Sequence, residues 1–258
     1  MNNLWVTDID DFVLQTMPIY NVTILKCIEI ITKSLWHKAP YLYECIELFK
    51  EIQKKSAQGP HKERLHRNVL TLYRDICSKY ALMPRKDVEK NLYELCEWAF
   101  SSENYSRLID PHAKELFQFL KANGDTVIPL TRGDPTIQNV KIKVIDETIG
   151  PIFTLPSFYT PAVPIKTEGV FERIKLGFED YDRYFAMGNS FQHDLSAAVK
   201  CGFYGIRVKP NFWAMDIEEN EIAKFSNART LNGLLEIKKL YTELVAVCPF
   251  SAKESKIK

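Results

Sequence analysis

Glycine is scarce in this sequence: 10 in 258 residues, about 4% against the usual 7% or so. Only Gly59 precedes residue 120; the other nine lie from Gly124 to Gly233. Helix interiors disfavour glycine by about 1 kcal/mol relative to alanine, whereas tight turns need it, so the two halves are built differently. An excess of either charge is lacking too. Lys+Arg number 34 and Asp+Glu 33, a formal charge of +1, which argues against a nucleic-acid scaffold or an acidic tail protein. There is no long apolar run. The longest stretch without a charged residue, Thr148 to Ile165, is interrupted by Pro151, Pro156, Pro161 and Pro164, and a spanning helix needs about 20 apolar residues. The first residues carry no basic segment and meet acid at Asp8, unlike a secretory leader. The six cysteines include no CxxC pair and read as reduced core thiols. The expectation is a cytoplasmic protein without a transmembrane segment and without a nucleic-acid partner.

What is present has two textures. Asn3 to Thr7 is a short apolar run that ends at Asp8, the pattern of a buried strand delivering acid at its carboxyl end. From Ile19 the apolar residues recur at helical spacing: Ile24, Cys27, Ile28 and Ile31; then Cys45, Ile46, Phe49 and Ile52; then Leu65, Val69, Leu72 and Ile76; then Val88, Leu92, Cys96 and Ala99. Roughly four helices are expected over this nearly glycine-free region. After Asp110-Pro111 helices and strands alternate. Strands are expected at Thr126–Leu130, Tyr184–Met187 and Tyr204–Val208, with one more inside the proline-spaced stretch. Helices are expected at Pro111–Asn123, Thr136–Thr148, Thr167–Gly177 and Leu195–Cys201. Such alternation implies a parallel sheet with right-handed crossovers, and sites at the carboxyl ends of its strands.

That topology brings four segments to one sheet edge: Asp8, Asp10 and Asp11; Thr131 and Arg132; Lys166; and Asn189, Ser190 and Asp194. Carboxylates gather against their repulsion chiefly around a cation, and hard oxygen ligands of this kind suit Mg²⁺, with a phosphoryl group as companion.

In order and placement these segments resemble the four motifs of the haloacid dehalogenase superfamily of phosphohydrolases. Leu4-Trp-Val-Thr-Asp8-Ile-Asp10 matches its strand followed by Asp-x-Asp. Val127-Ile-Pro-Leu-Thr131 matches its strand ending in Thr or Ser. Lys166 stands before a helix, and Gly188-Asn-Ser-Phe-Gln-His-Asp194 matches its Gly-Asp/Asn-Ser-x-x-x-Asp. The resemblance implies an α/β fold, a Rossmann-like parallel sheet core with helices on both faces and an inserted α-helical cap. The domains implied are a core of residues 1–16 and 106–245, a cap of 17–105 and a tail of 246–258.

The resemblance also implies roles. Asp8 is the nucleophile that forms an aspartyl-phosphate, and Asp10 the general acid and base. Thr131, the backbone N–H of Arg132, and Lys166 hold or neutralise phosphate. Asp8, the carbonyl of Asp10, Asn189 and Asp194 hold Mg²⁺. The dehalogenase branch lacks the second aspartate, since a departing halide needs no proton; Asp10 therefore favours phosphate esters. Two positions depart from the pattern: Phe12 stands where Thr or Val is usual, and Asp11 where Gly is common. Residues 17–105 hold 14 Lys/Arg and 11 Asp/Glu, a mildly basic insert suited to an anionic substrate. A phosphorylated small molecule is the expected substrate, with a phosphoprotein of the phosphotyrosine type as the other choice. A phosphate-binding regulatory protein with weak or lost turnover is the alternative. A signalling receiver domain is set aside because receivers lack such an insert. The basic residues after Ala252 read as a frayed tail.

Overall fold

A computed structural model describes residues 2–35, 40–56, 61–209 and 219–248, with backbone alone for 61–63. Expectations that fall elsewhere, including those on Gly59 and the basic C-terminal segment, lie outside the described residues. The chain divides into two compact units, Met1–Gln15 with Leu108–Lys258, and Thr16–Arg107.

The second unit is helical: α1 (Thr16–Ser34), α2 (Leu42–Lys55), α3 (His61–Lys79), α4 (Lys86–Ala99) and α5 (Ser102–Arg107). The apolar spacing read from the sequence becomes its core. In α4, Val88, Leu92, Cys96 and Ala99 are buried three or four residues apart, which places them on one face. That face meets Cys27, Ile28 and Ile31 of α1 and Leu72, Tyr73 and Ile76 of α3, all buried. The one addition to the expected helices is α5, six residues with buried Asn104 and Tyr105.

The first unit carries α6 (Ala113–Ala122), α7 (Pro135–Ile149), α8 (Glu168–Gly177), α9 (Ser196–Lys200), α10 (Glu219–Ile222), α11 (Leu234–Lys239) and α12 (Tyr241–Val247). Its strands are β1 (Asn3–Thr7), β2 (Thr126–Pro129), β3 (Thr131–Arg132), β4 (Ala162–Val163), β5 (Arg183–Gly188), β6 (Tyr204–Val208) and β7 (Ala228–Leu231). Five of them form a sheet in the order β2-β1-β5-β6-β7, and β3 pairs with β4 separately. Every pairing is parallel. This is an α/β Rossmann-like architecture with helices flanking a parallel sheet. β1, β5 and β6 are buried throughout, the continuous apolar pattern of strands covered on both faces.

β1 lies inside the sheet, between β2 and β5, and its amino end is tied down by side chains. The Asp125 carboxylate accepts hydrogen bonds from Asn3 Nδ2, Trp5 Nε1 and Tyr241 Oη, each at 2.8 Å. Burial pushes the Asp125 carboxyl up, and these three donors oppose the shift. The Trp5 ring stacks on Phe185 of β5 at 4.0 Å between centroids. Three local signals set the entry to α7. Asp134 caps it by accepting from Thr136 N at 2.8 Å and Ile137 N at 3.3 Å, and Pro135 opens its first turn. All six cysteines are free thiols. Among the described residues no helix is long and apolar enough to cross a membrane.

The exit from α3 exposes a cost of scarce glycine. Leu82 N–H donates to the Cys77 carbonyl at 2.8 Å and Ala81 N–H to that of Ser78 at 3.1 Å, a Schellman closure that puts Ala81 in the left-handed region at φ 52°. A left-handed non-glycine residue costs roughly 1–2 kcal/mol, partly offset by the greater unfolded-state freedom of glycine. Ala81→Gly is therefore expected to stabilise the protein by about 1 kcal/mol; an unchanged or lower urea midpoint, followed by circular dichroism, would contradict this.

Candidate active site

The register of the sheet places the acidic turn. Thr7 pairs with Pro129 of β2 and with Met187 of β5. Leu130 N–H donates to the Thr7 carbonyl, and Asp8 N–H to that of Met187, both at 2.8 Å. Asp8 thus leaves the sheet between Leu130-Thr131 on one side and Gly188 on the other. The chain then closes a tight loop: Val13 and Leu14 N–H groups both return to the Ile9 carbonyl, and Asp11 N–H to that of Leu14. Asp11 lies at φ 56°, a conformation that Asp tolerates and Gly adopts freely. Aspartate here keeps the backbone shape that a glycine would take.

Asp8 is buried. Its Oδ1 accepts from Lys166 Nζ at 2.5 Å, and the same ammonium reaches Asp194 Oδ1 at 2.7 Å. Burial pushes the Asp8 carboxyl up to about 8, the Asp194 charge adding to the shift and Lys166 opposing it. Burial disfavours the Lys166 ammonium, but the charges of Asp194 and Asp8 outweigh that and raise its pKa. Asp8 Oδ2 has no hydrogen bond among the described residues. Thr131 Oγ1 is buried and has no partner either. A buried hydroxyl left unsatisfied costs roughly 1–3 kcal/mol, and native interiors seldom leave one so. A bound oxyanion would satisfy it.

Thr131 and Gly133 give their N–H groups to Pro161 and Val163, at 2.8 and 3.1 Å. Strand alternation turns the intervening Arg132 N–H to the opposite edge of β3. The Arg132 side chain is exposed. Its carbonyl accepts from Gln138 Nε2 at 3.2 Å.

The last segment is built around a missing atom. A Cβ on Gly188 would stand 2.6 Å from Asp194 Cβ and 2.7 Å from its Oδ2. Glycine lets the Asp194 carboxylate fold back under the strand end, where Oδ2 accepts from Ser190 N–H at 3.0 Å. The Asn189 carbonyl accepts from the buried Arg207 of β6 at 3.0 Å.

Asp8, Asp194 and Lys166 therefore form one ion cluster. Asp10 belongs to another. Its two oxygens accept from Lys141 Nζ at 2.6 and 2.8 Å, and Oδ2 also from Gln138 Nε2 at 3.0 Å. Three carboxylates thus face two lysines. Among the described residues no three His, Cys, Asp or Glu side chains converge as a metal cage. A cation beside Asp8 and Asp194 would draw its remaining ligands from amide and carbonyl oxygens and water. This oxygen donor set fits Mg²⁺ and not zinc.

Lys141, Gln138 and Arg207 were not singled out by the sequence reading. One signal was available for Lys141. It falls on the α7 face of Gln138, Ile142 and Ile145, all buried, and a lysine on a buried face needs a counter-charge. Phe12, the departure from the family pattern, stands apart from these residues. It is buried and lines a cleft of about 220 Å³ with Asp110, His112, Lys209 and Asn232; Asp8, Thr131 and Lys166 do not line that cleft.

No family model and no curated protein matches the chain. Solved structures do. A haloacid dehalogenase-like family hydrolase from Xanthomonas campestris superposes with a TM-score of 0.65 at 14% identity, over 95% of this chain and 92% of the other. A HAD phosphatase from Thermococcus onnurineus gives 0.54 at 14%, over 93% and 98%. A HAD-hydrolase from Bacillus subtilis solved with magnesium bound gives 0.54 at 12%, over 94% and 98%. Dehalogenases share the fold as well. The chain has the haloacid dehalogenase-like fold.

The Gly188 contact makes a prediction. Gly188→Ala should displace Asp194 and destabilise the protein by about 1–3 kcal/mol, the usual cost of overpacking. A thermal midpoint equal to that of the unaltered protein would show that Asp194 does not depend on this close approach.

Proposed function

We propose that the protein is a Mg²⁺-dependent phosphatase that hydrolyses a phosphate monoester through an aspartyl-phosphate on Asp8. The carrying observation is the pairing of an unpartnered buried Thr131 hydroxyl with an Asp8 carboxylate that has one oxygen on Lys166 and the other without a hydrogen bond. Asp8 Oδ2 attacks phosphorus, the bond from phosphorus to the ester oxygen breaks, and Asp10 gives that oxygen a proton. Water then attacks phosphorus and yields its proton to Asp10. The bond to Asp8 breaks, and inorganic phosphate leaves. Thr131 Oγ1 and the Arg132 N–H donate to the phosphoryl oxygens, and Lys166 balances charge on nucleophile and phosphoryl group throughout. Asp8, Asp194, Asn189 and the Asp10 carbonyl would hold Mg²⁺, which supplies positive charge to the phosphoryl oxygens when bound.

The fold is common to phosphatases and dehalogenases, so the choice rests on Asp10. Cleaving carbon–halogen bonds releases a halide that takes no proton. A carboxylate held by a lysine and a glutamine two residues from the nucleophile is apparatus for an oxygen leaving group. The helical unit, inserted in the chain directly after the Asp8 loop, is proposed as the substrate-selecting cap. Its surplus of basic residues favours a small anionic phosphate ester.

Hydrolysis of p-nitrophenyl phosphate tests this. Activity should appear with Mg²⁺ and vanish with chelator, and Asp8→Asn should lower kcat by at least about a thousandfold. Activity that survives both treatments would refute the mechanism. Thr131→Val should cost about ten- to a hundredfold in kcat/KM, the worth of one hydrogen bond to a charged group. An unchanged kcat/KM would remove Thr131 from the phosphate site.

A further inference from the structure

Lys141 and Gln138 are not among the residues that the four motifs single out, yet both are spent on Asp10. Lys141 is a fully buried lysine that forms an ion pair with Asp10, which is itself partly open to solvent. Its ammonium spans both carboxylate oxygens, at 2.6 and 2.8 Å, and Gln138 Nε2 adds a third donor to Oδ2 at 3.0 Å. The two side chains lie three residues apart on α7, hence on one face. The approach of Gln138 depends on Gly133, where a Cβ would stand 2.8 Å from Gln138 Nε2. Gly133 also lies at φ 144°, a region that L side chains rarely adopt. Burying an ammonium costs several kcal/mol unless it is paired. A lysine placed here with its whole length inside the core is therefore committed to this carboxylate.

From this geometry we infer that Lys141, with Gln138 as its second prong, is a positioning residue that fixes the orientation of the Asp10 carboxylate for proton transfer. The inference rests on the phosphatase reading of the site. Three donors on two oxygens remove the rotation about the side-chain bonds that a lone aspartate on a loop would keep, and proximity effects of this kind decay with misplacement of about 1 Å.

The clamp predicts different losses in the two chemical steps. p-Nitrophenolate departs without a proton, so phosphorylation of Asp8 needs Asp10 little. Breakdown of the aspartyl-phosphate needs Asp10 to take a proton from water. The experiment is rapid-mixing hydrolysis of p-nitrophenyl phosphate with Mg²⁺ by the full chain, Lys141→Met, Lys141→Arg and Gln138→Leu, with thermal melts of each. Lys141→Met is expected to release about one nitrophenolate per enzyme at close to the normal rate. Its steady-state rate should then fall about a hundredfold, the scale of general acid–base catalysis. Lys141→Arg, which keeps the charge and the donors, should recover most of the steady-state rate, and Gln138→Leu should show a smaller loss of the same kind.

A Lys141→Met protein with normal burst and normal steady state overturns the clamp. So does an equal loss of both phases, with no recovery in Lys141→Arg, which marks a structural role. If Lys141→Met does not fold, Lys141→Arg and Gln138→Leu decide by the same split between phases. Turnover by the unaltered chain that survives Asp8→Asn overturns the phosphatase reading instead, and the clamp with it; the two failures are thus told apart by which variant stays active.

Discussion

Three carboxylates brought to one edge of a sheet repel one another, and much of the core is arranged to offset that repulsion. Asp8 and Asp194 share Lys166, and Asp10 takes Lys141. Both lysines are buried and reach the edge from opposite parts of the chain, Lys166 from the loop before α8 and Lys141 from inside α7. Each ammonium loses hydration that only its carboxylates restore, and each carboxylate is tolerable only because an ammonium lies beside it. The two glycines that the cluster depends on, Gly133 and Gly188, are places where a side chain of the cluster presses against the backbone. The scarcity of glycine and the crowding of charge are thus connected: of the few glycines in the chain, Gly188 makes room for Asp194 and Gly133 for the Gln138 amide that holds Asp10.

In the proposed reading the sheet edge takes two complementary guests, a cation beside Asp8 and Asp194 and an oxyanion at the unsatisfied Thr131 hydroxyl. The anion alone would meet the carboxylates, and the cation alone would leave Thr131 without an acceptor or donor. On that reading the two binding events are coupled.

The fold was largely legible because it depends on spacing. The four long helices of Thr16–Arg107 repeat their apolar residues every three or four positions, and β1 and β5 are short apolar runs that stop at Asp8 and Gly188. The elements that escaped the pattern are short or half-buried. β3 has two residues and reads as part of a turn; β7 has four, three of them only partly buried, and α10 to α12 are brief. Of the site, Asp8, Lys166 and Asp194 were legible because strand ends locate them, and the structure brings these three together. Lys141 and Gln138 were not: the lysine falls on a buried helix face and so calls for a counter-charge, but spacing along α7 does not say which carboxylate supplies it. Phe12 stood out in the sequence only as a departure from the resemblance. Its ring lines a separate cleft, because the loop from Asp8 to Leu14 turns back on Ile9 and carries the side chain away.

The position of β1 has a consequence in time. It is an interior strand, between β2 and β5, yet its partners come much later in the chain. Asn3 pairs with Arg183 and Leu4 with Thr126, so the strand that carries Asp8 waits for β5 through about 180 residues of further synthesis, on the order of ten to forty seconds at ordinary rates of translation. For about the first 120 of those residues a largely apolar strand has neither neighbour, and for the rest it lacks β5, while the helical unit, a continuous stretch of 92 residues, can already be assembling. The segment that carries Asp8 is thus among the first to be made and among the last to be sheltered, and in a growing chain its exposure is set by the length of what has been inserted after it.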